Sequence, residues 1–404
     1  MTNEVRMIQR AFFEAWVLRH GFGICTLSQA PAFRLSTSWM RILPHLLFLA
    51  ACATLSAGEL QLTLPPVVYA VPGLNVSLYH DNMVLTQTPE QYRFEVTCKL
   101  GQNEQRRWSV TPADADVGDH PLQVTVKDAS GKVLEQGKTT LHVSPRNAGA
   151  GKPLRLLIVG DSLTHASMYP NEIARLGAEP GNPKLTLLGT HKPSSVKFGV
   201  AHEGYGGWTW ARFLTLFTPQ KAEAAGPLAR KETSPFVFPS ADGRTGVFDL
   251  KRYFKEHCDN QPPDVVTFLL GINDCFGANP DDPDVKITEV FAHAEKLLAE
   301  FHAAAPRARL AVGLTTPPNS RQEAFTANYK DKYPRWGWKR IQHRLVQRML
   351  EQFANREKDG LYLVPTELNL DPVEGYPANN GVHPNAAGYA QIGTSFHCWL
   401  KAQF

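Results

Sequence analysis

Leu154-Arg155-Leu156-Leu157-Ile158-Val159-Gly160-Asp161-Ser162-Leu163 decides the fold. The run is apolar but for Arg155 and shows no alternation, so it reads as a strand covered on both faces. It stops at Gly-Asp-Ser, where a chain can turn and open a helix. Residues 265–270 and 310–314 repeat the buried-strand pattern, and residues 185–188 and 361–364 are shorter versions of it. Helical stretches separate them, notably 287–304 and 341–353, and another helix over 386–400 closes the chain. Buried strands alternating with helices specify a parallel sheet with helices on each side, here across residues 153–404. Right-handed crossovers then gather the strand-end loops along one edge.

Upstream the period changes. Tyr92-Arg93-Phe94-Glu95-Val96-Thr97-Cys98 and Leu122-Gln123-Val124-Thr125-Val126 alternate, as half-buried strands do, and Asp128-Ala129-Ser130-Gly131 supplies a turn between strands. Several short strands predict a small immunoglobulin-like β-sandwich over residues 58–147, a spacer or accessory module with glycan binding as its alternative use. Residues 144–153, rich in Pro and Gly, read as the linker.

The remaining residues, 1–57, read as a leader. Met40-Arg41-Ile42-Leu43-Pro44-His45 precedes a short apolar run ending in small residues, the order of a secretory signal peptide starting at Met40. The run is too short to span a bilayer. Cleavage would follow Ala53 or Ala57. Leu49-Ala50-Ala51-Cys52 resembles a lipobox, so a lipid anchor at Cys52 is the alternative form. The expected location is secreted or periplasmic. Cys98, Cys258, Cys275 and Cys398 would survive cleavage; one bridge among them is conceivable, and buried free thiols are the expectation.

Across 404 residues, 43% hydrophobic and 20% charged composition excludes a disordered, collagen-like or coiled-coil chain. Of the net charge of +4, most lies in the leader, where Arg6, Arg10, Arg19, Arg34 and Arg41 face only Glu4 and Glu14. The body is nearly neutral and lacks the clustered basic face that nucleic acid requires. No CxxC pair suggests zinc. The acidic loop Asn279-Pro280-Asp281-Asp282-Pro283-Asp284 lacks the spacing of a calcium loop. No metal or organic cofactor is expected.

Four blocks carry chemistry. Ser162, at a strand-to-helix turn, can project its hydroxyl into a cleft while its amide faces a bound oxyanion. The loop His202-Glu203-Gly204-Tyr205-Gly206-Gly207-Trp208-Thr209 can bring a backbone N–H close to a ligand. Gly271-Ile272-Asn273-Asp274 leaves another strand, and the Asn273 amide is a neutral donor that adds no competing base. Asn380-Gly381-Val382-His383-Pro384-Asn385 presents His383, suited to take a proton from Ser and return it to a leaving group.

In that order, the four blocks resemble the SGNH hydrolases, also called the GDSL family of lipases and esterases, over residues 153–402. The resemblance implies a flavodoxin-like three-layer α/β/α domain and a serine esterase working through an acyl-enzyme. It implies Ser162 as nucleophile, His383 as general base, and the Ser162 amide, Gly207 amide and Asn273 side chain as oxyanion donors. The family's pattern small-Gly-Trp selects Gly207 over Gly206. One departure stands out: the family's Asp three residues before the His is Asn380 here. Either Asn380 or a backbone carbonyl orients His383, or a carboxylate such as Asp371 or Glu374 substitutes, or activity is lost.

Two aromatic and basic stretches bear on substrate: Arg230, Phe236, Phe238, Arg244 and Tyr253 in the first, and residues 329–338, with Tyr329, Tyr333, Trp336 and Trp338, in the second. They either stack on sugar rings or pack an inserted subdomain. The layout resembles secreted esterases that remove O-acetyl groups from carbohydrates. The alternatives are a lysophospholipase- or thioesterase-type hydrolase on the same fold and a non-catalytic glycan-binding surface module.

Overall fold

The computed structural model describes residues 60–219 and 232–404; the leader, with Met40, Cys52, Ala53 and Ala57, and also Arg230, lie outside the described residues. Strands β1 (Val67–Ala70), β2 (Val76–Tyr79), β3 (Arg93–Thr97), β4 (Gln102–Asn103), β5 (Arg107–Val110), β6 (Gly118–Lys127) and β7 (Val133–Val143), with one helical turn α1 (His80–Met83), build the first region. They form two sheets, β1-β7-β6-β3 and β2-β5-β4. Alternation sets which side faces in: Phe94 and Val96 of β3 are buried while Arg93 and Thr97 are exposed. The inward residues of both sheets meet around Trp108 to form a β-sandwich. Leu368 and Cys398, from the far end of the chain, complete that core. Ala57–Phe404 accordingly form one compact unit.

The second region opens with β8 (Pro153–Gly160), α2 (Ser162–His165), α3 (Met168–Gly177), β9 (Lys184–Leu188), β10 (Glu203–Gly204) and α4 (Trp210–Thr215). A hairpin of β11 (Val237–Pro239) and β12 (Gly246–Phe248) leads through α5 (Leu250–His257) to β13 (Val265–Leu269), α6 (Ile272–Cys275) and α7 (Asp284–Ala304). Then follow β14 (Arg309–Gly313), α8 (Gln322–Tyr329), α9 (Arg335–Phe353), β15 (Leu361–Val364) and α10 (Ala386–Lys401). β9 and β10 share one edge of β8, and β13, β14 and β15 follow on its other side, every pairing parallel. β13 is buried at all five positions, as its unbroken apolar sequence requires. The chain steps from β8 toward β9 in one direction and from β13 toward β15 in the other. Right-handed crossovers therefore put α3 on one face and α7 and α9 on the opposite face. α10 packs on α3, while α4, α5 and α9 gather on α7.

The aromatics of the first stretch are core, not platform. Phe236 and Tyr253 are fully buried and meet edge to face at 4.9 Å, and Phe238 is buried beside them. Burying such a ring contributes about 2–3 kcal/mol to folding and leaves no face for a sugar. Arg244 lies on an exposed turn. In the second stretch, α9 begins at Arg335, immediately after Pro334, rather than at residue 341; Gly337 in its first turn hides the helical period.

The acidic loop is taken up by arginines: Asp281 meets Arg340 at 2.8 Å, and Asp284 meets Arg344 at 3.0 Å and Arg348 at 2.7 Å. Cys98, Cys258, Cys275 and Cys398 are free thiols. No helix among the described residues is long and apolar enough to cross a membrane.

Candidate active site

Gly160 sets up the first block. A Cβ there would lie 1.9 Å from Thr164 Oγ1 and 2.9 Å from the Leu269 carbonyl oxygen. Only glycine lets β8 end directly beneath the turn that opens α2. Asp161 caps that turn by accepting the Leu163 N–H at 2.9 Å. Ser162 is the first residue of the turn and half-buried, with an amide that has no acceptor inside its helix.

His383 sits two residues before the N-cap of α10, and its Nε2 lies 2.9 Å from Ser162 Oγ. Its Nδ1 lies 3.1 Å from Asn380 Oδ1. That same oxygen accepts the backbone N–H of Val382 at 3.1 Å and of His383 at 2.9 Å. Backbone N–H groups only donate, so the amide atom facing this loop is the oxygen. The ring nitrogen facing that oxygen must then carry the proton, which leaves Nε2 with the lone pair that faces the Ser162 hydroxyl. A neutral side chain thus fixes the tautomer that a carboxylate fixes in a Ser-His-Asp triad. Burial holds the His383 pKa below its ordinary value of 6.5.

Asp371 and Glu374, the alternative partners of His383, are engaged elsewhere. Asp371 is buried and pairs with Arg106 of the β-sandwich at 3.1 and 3.3 Å. Its Oδ1 also caps the amides of Val373 and Glu374. Glu374 is exposed and lines a surface hollow with Arg106 and Gln391. The reason is spacing: Asn380 closes a tight turn onto its own loop, whereas the two acids lie on the preceding segment, which faces the sandwich.

Gly207 stands third in a turn closed by the Trp208 N–H donating to the Tyr205 carbonyl at 3.2 Å. Its φ of +76° is the value such a turn demands there, and residue 207 is exposed. Asn273, in the one-turn helix after β13, donates from Nδ2 to the Trp208 carbonyl at 3.1 Å and to Asp161 Oδ2 at 3.3 Å. It therefore joins the first and second blocks at the ends of three neighbouring strands. Ser162, Gly207, Asn273 and His383 all stand at the carboxyl edge of the parallel sheet.

Three acids behind this edge were not read from the sequence. Burial pushes the Asp161 pKa up to about 7 against the opposing Leu163 amide, and the charge of Asp274 adds to the rise. Burial likewise pushes Asp274 up to about 7, although it accepts the Trp210 N–H at 3.0 Å. Glu203 is wholly buried and accepts Thr190 N–H at 2.7 Å, Thr190 Oγ1 at 2.6 Å, Tyr253 OH at 2.6 Å and Tyr205 OH. Tyr205 opens the turn that carries Gly207, so Glu203 fixes that turn from behind. The signal was present: each acid stands inside one of the blocks that carry the candidate residues, at or beside the end of a strand. Asn319, buried after β14, was missed too; it donates to the Pro377 and Asn380 carbonyls at 2.9 and 3.0 Å and holds the His383 loop.

Beside the site stands an aromatic shelf. The Phe276 ring, three residues past Asn273, lies 5.3 Å from Tyr329, 4.8 Å from Tyr333 and 4.7 Å from Trp338. Phe325, 6.0 Å from Tyr329, packs so closely on Gly381 that a Cβ there would be 2.9 Å from the ring. Phe276, Tyr329 and Tyr333 remain half-buried. The shelf thus runs from the Asn273 side to the His383 side.

A serine at a strand-to-helix turn, a left-handed glycine, an asparagine and a histidine thus stand at one edge of a parallel sheet. The profile of the GDSL-like lipase/acylhydrolase family matches residues 158–391, and the chain belongs to that family and is a carboxylic ester hydrolase. No curated protein matches. Among solved structures, a family 3 carbohydrate esterase of Clostridium thermocellum is 19% identical, over 61% of this chain and 94% of its own, with a TM-score of 0.37. A family two carbohydrate esterase from the same organism, in complex with cellohexaose, is 16% identical over 83% of this chain and 94% of its own, with a TM-score of 0.33. An acetyl xylan esterase of Geobacillus stearothermophilus is 16% identical over 61% of this chain and 94% of its own, with a TM-score of 0.32.

Proposed function

We propose that the protein removes O-acetyl groups from carbohydrates, with Ser162 as nucleophile and His383 as general base, after export directed by its leader. The observation that carries the catalytic part is the relay Asn380 Oδ1, His383 Nδ1–H, His383 Nε2, Ser162 Oγ, with its tautomer set by backbone donors. His383 takes the Ser162 proton as Oγ attacks the ester carbonyl carbon. The carbonyl oxygen gains the charge and rests on the Ser162 amide, the Gly207 amide and Asn273. At 3.3 Å the Asn273 contact to Asp161 is long, so that hydrogen is the one available to turn to the oxyanion. His383 then gives its proton to the departing alcohol. A water, deprotonated by His383, attacks the acyl-enzyme; acetate leaves and Oγ recovers its proton.

The aromatic shelf supports the carbohydrate part. Half-buried rings backed by other rings offer rigid faces for stacking, and their ties to the Asn273 helix through Phe276 and to the His383 loop through Phe325 support a sugar bound beside the ester. The test is acetate release from a panel of acetylated polysaccharides, with Ser162→Ala as control. Release that vanishes in the variant supports the proposal. Hydrolysis confined to long-chain esters in a chain-length series would replace it with a lipid-directed reading, and no Ser162-dependent hydrolysis of any ester would overturn it.

A further inference from the structure

Beyond the shelf an open trough follows the seam between the β-sandwich and the α/β domain. Its middle is a hollow of about 620 Å³. A second hollow, of about 430 Å³, shares Tyr79 and Arg106 with the first. A third, of about 580 Å³, shares Tyr92 and Arg93 with it. Hollows with common walls form a connected depression open to solvent, with room for several units of a chain molecule. Ser320 and Arg335 are among the residues that wall the middle hollow. Ser320 adjoins Asn319, which holds the His383 loop, and Arg335 stands two positions beyond Tyr333 of the shelf. The trough therefore borders the segments that hold the His383 loop and carry the shelf.

The lining selects the class of chain. The wall is mixed: the half-buried ring of Tyr92 and the apolar surfaces of Pro89, Pro372 and Val373 alternate with exposed Gln87, Glu90 and Gln105, which an acyl chain would leave desolvated. A polyanion needs surplus positive charge, but the arginines are mostly neutralised: Arg106 by Asp371, Arg93 by Glu95 and Arg107 by Glu104. Amides, a carboxylate and the Tyr92 ring beside small apolar surfaces together suit a ligand that carries many hydroxyls, apolar ring faces and no net charge.

We propose that this seam trough binds an uncharged stretch of the polysaccharide whose ester Ser162 cleaves, which makes the β-sandwich a wall of the substrate site. The inference rests on the carbohydrate reading above. It is tested on the full chain carrying Ser162→Ala, by calorimetric titration with soluble hexasaccharides of β-1,4-linked xylose and of β-1,4-linked glucose. At least one hexasaccharide binds, and adding Tyr92→Ala weakens binding about tenfold, equivalent to about 1.4 kcal/mol. Tyr92 also packs on the sandwich core, so Gln105→Ala, on an exposed side chain, is the second variant and weakens the same binding. In the active enzyme, either change lowers kcat/KM on the acetylated polymer relative to kcat/KM on 4-nitrophenyl acetate. Unchanged binding and an unchanged ratio in both variants would overturn the trough while leaving polysaccharide deacetylation intact. Absence of acetate release from every polymer, with 4-nitrophenyl acetate still cleaved, would overturn the carbohydrate reading itself.

Discussion

Ser162, Gly207 and Asn273 are held from behind by acids that never meet solvent, whereas His383 is held by a neutral amide on a segment fastened to another region of the molecule. On the first side, Asp161 joins two blocks, Asp274 reaches a third element and Glu203 gathers four donors. On the second side, Asn82 of the sandwich donates to the Glu367 and Leu370 carbonyls at 2.8 and 2.9 Å, and Arg106 pairs with Asp371. The sandwich is thus not a spacer with respect to the histidine loop; it anchors the segment leading to it. The contrast separates two uses of charge. Buried acids fix geometry behind the first three blocks, and charge is kept off the histidine to which the proposal gives the proton transfer.

The largest expected effects test whether the two halves meet in one reaction. Ser162→Ala should lower kcat on any ester substrate by on the order of 10⁶-fold, with the fold unchanged by circular dichroism. Asn380→Ala should lower kcat by about 10²-fold or more, because His383 loses the acceptor that fixes its tautomer. Steady-state kinetics with little change in KM would support that reading, and near-normal kcat would show that another group orients the ring. Glu203→Gln replaces one acceptor oxygen with a donor facing hydroxyls or an N–H, and should cost about 1–3 kcal/mol in stability, read as a lower midpoint in urea. Arg106→Ala removes a partly exposed arginine from a buried carboxylate and should cost about 1–2 kcal/mol. If anchoring matters for catalysis, kcat falls with it; stability loss at constant kcat would confine the tie to folding.

The mildest expectation concerns pH. His383 works as a base only when neutral, and burial lowers its pKa. The acid limb of kcat/KM should therefore lie below pH 6.5, with activity lost as pH falls through it. Asn380→Asp keeps both backbone acceptor contacts and adds a charge that favours the imidazolium. It should leave activity equal or modestly raised and move the limb to higher pH. A limb that stays in place would show that residue 380 does not touch the titrating ring.

Residues 154–163 made the parallel sheet legible, because an unbroken apolar strand has only one stable surrounding, and each block's position after such a strand made its arrival at one edge a matter of chain handedness. Local signals marked four blocks at strand exits and a helix start, and it was their order, in its resemblance to the family, that selected Ser162, Gly207, Asn273 and His383 within them. The partner of His383 was not decided locally: Asn380, Asp371 and Glu374 were all within reach in sequence, and only the turn geometry set one against the ring and sent Asp371 to Arg106. The roles of Phe236 and Tyr253 likewise depended on burial, which sums contributions from distant strands and helices. Sequence fixes what each residue can donate, accept or bury; the folded chain determines which atom stands opposite it, because hydrogen bonds and packing depend on distances between segments that composition and spacing do not contain.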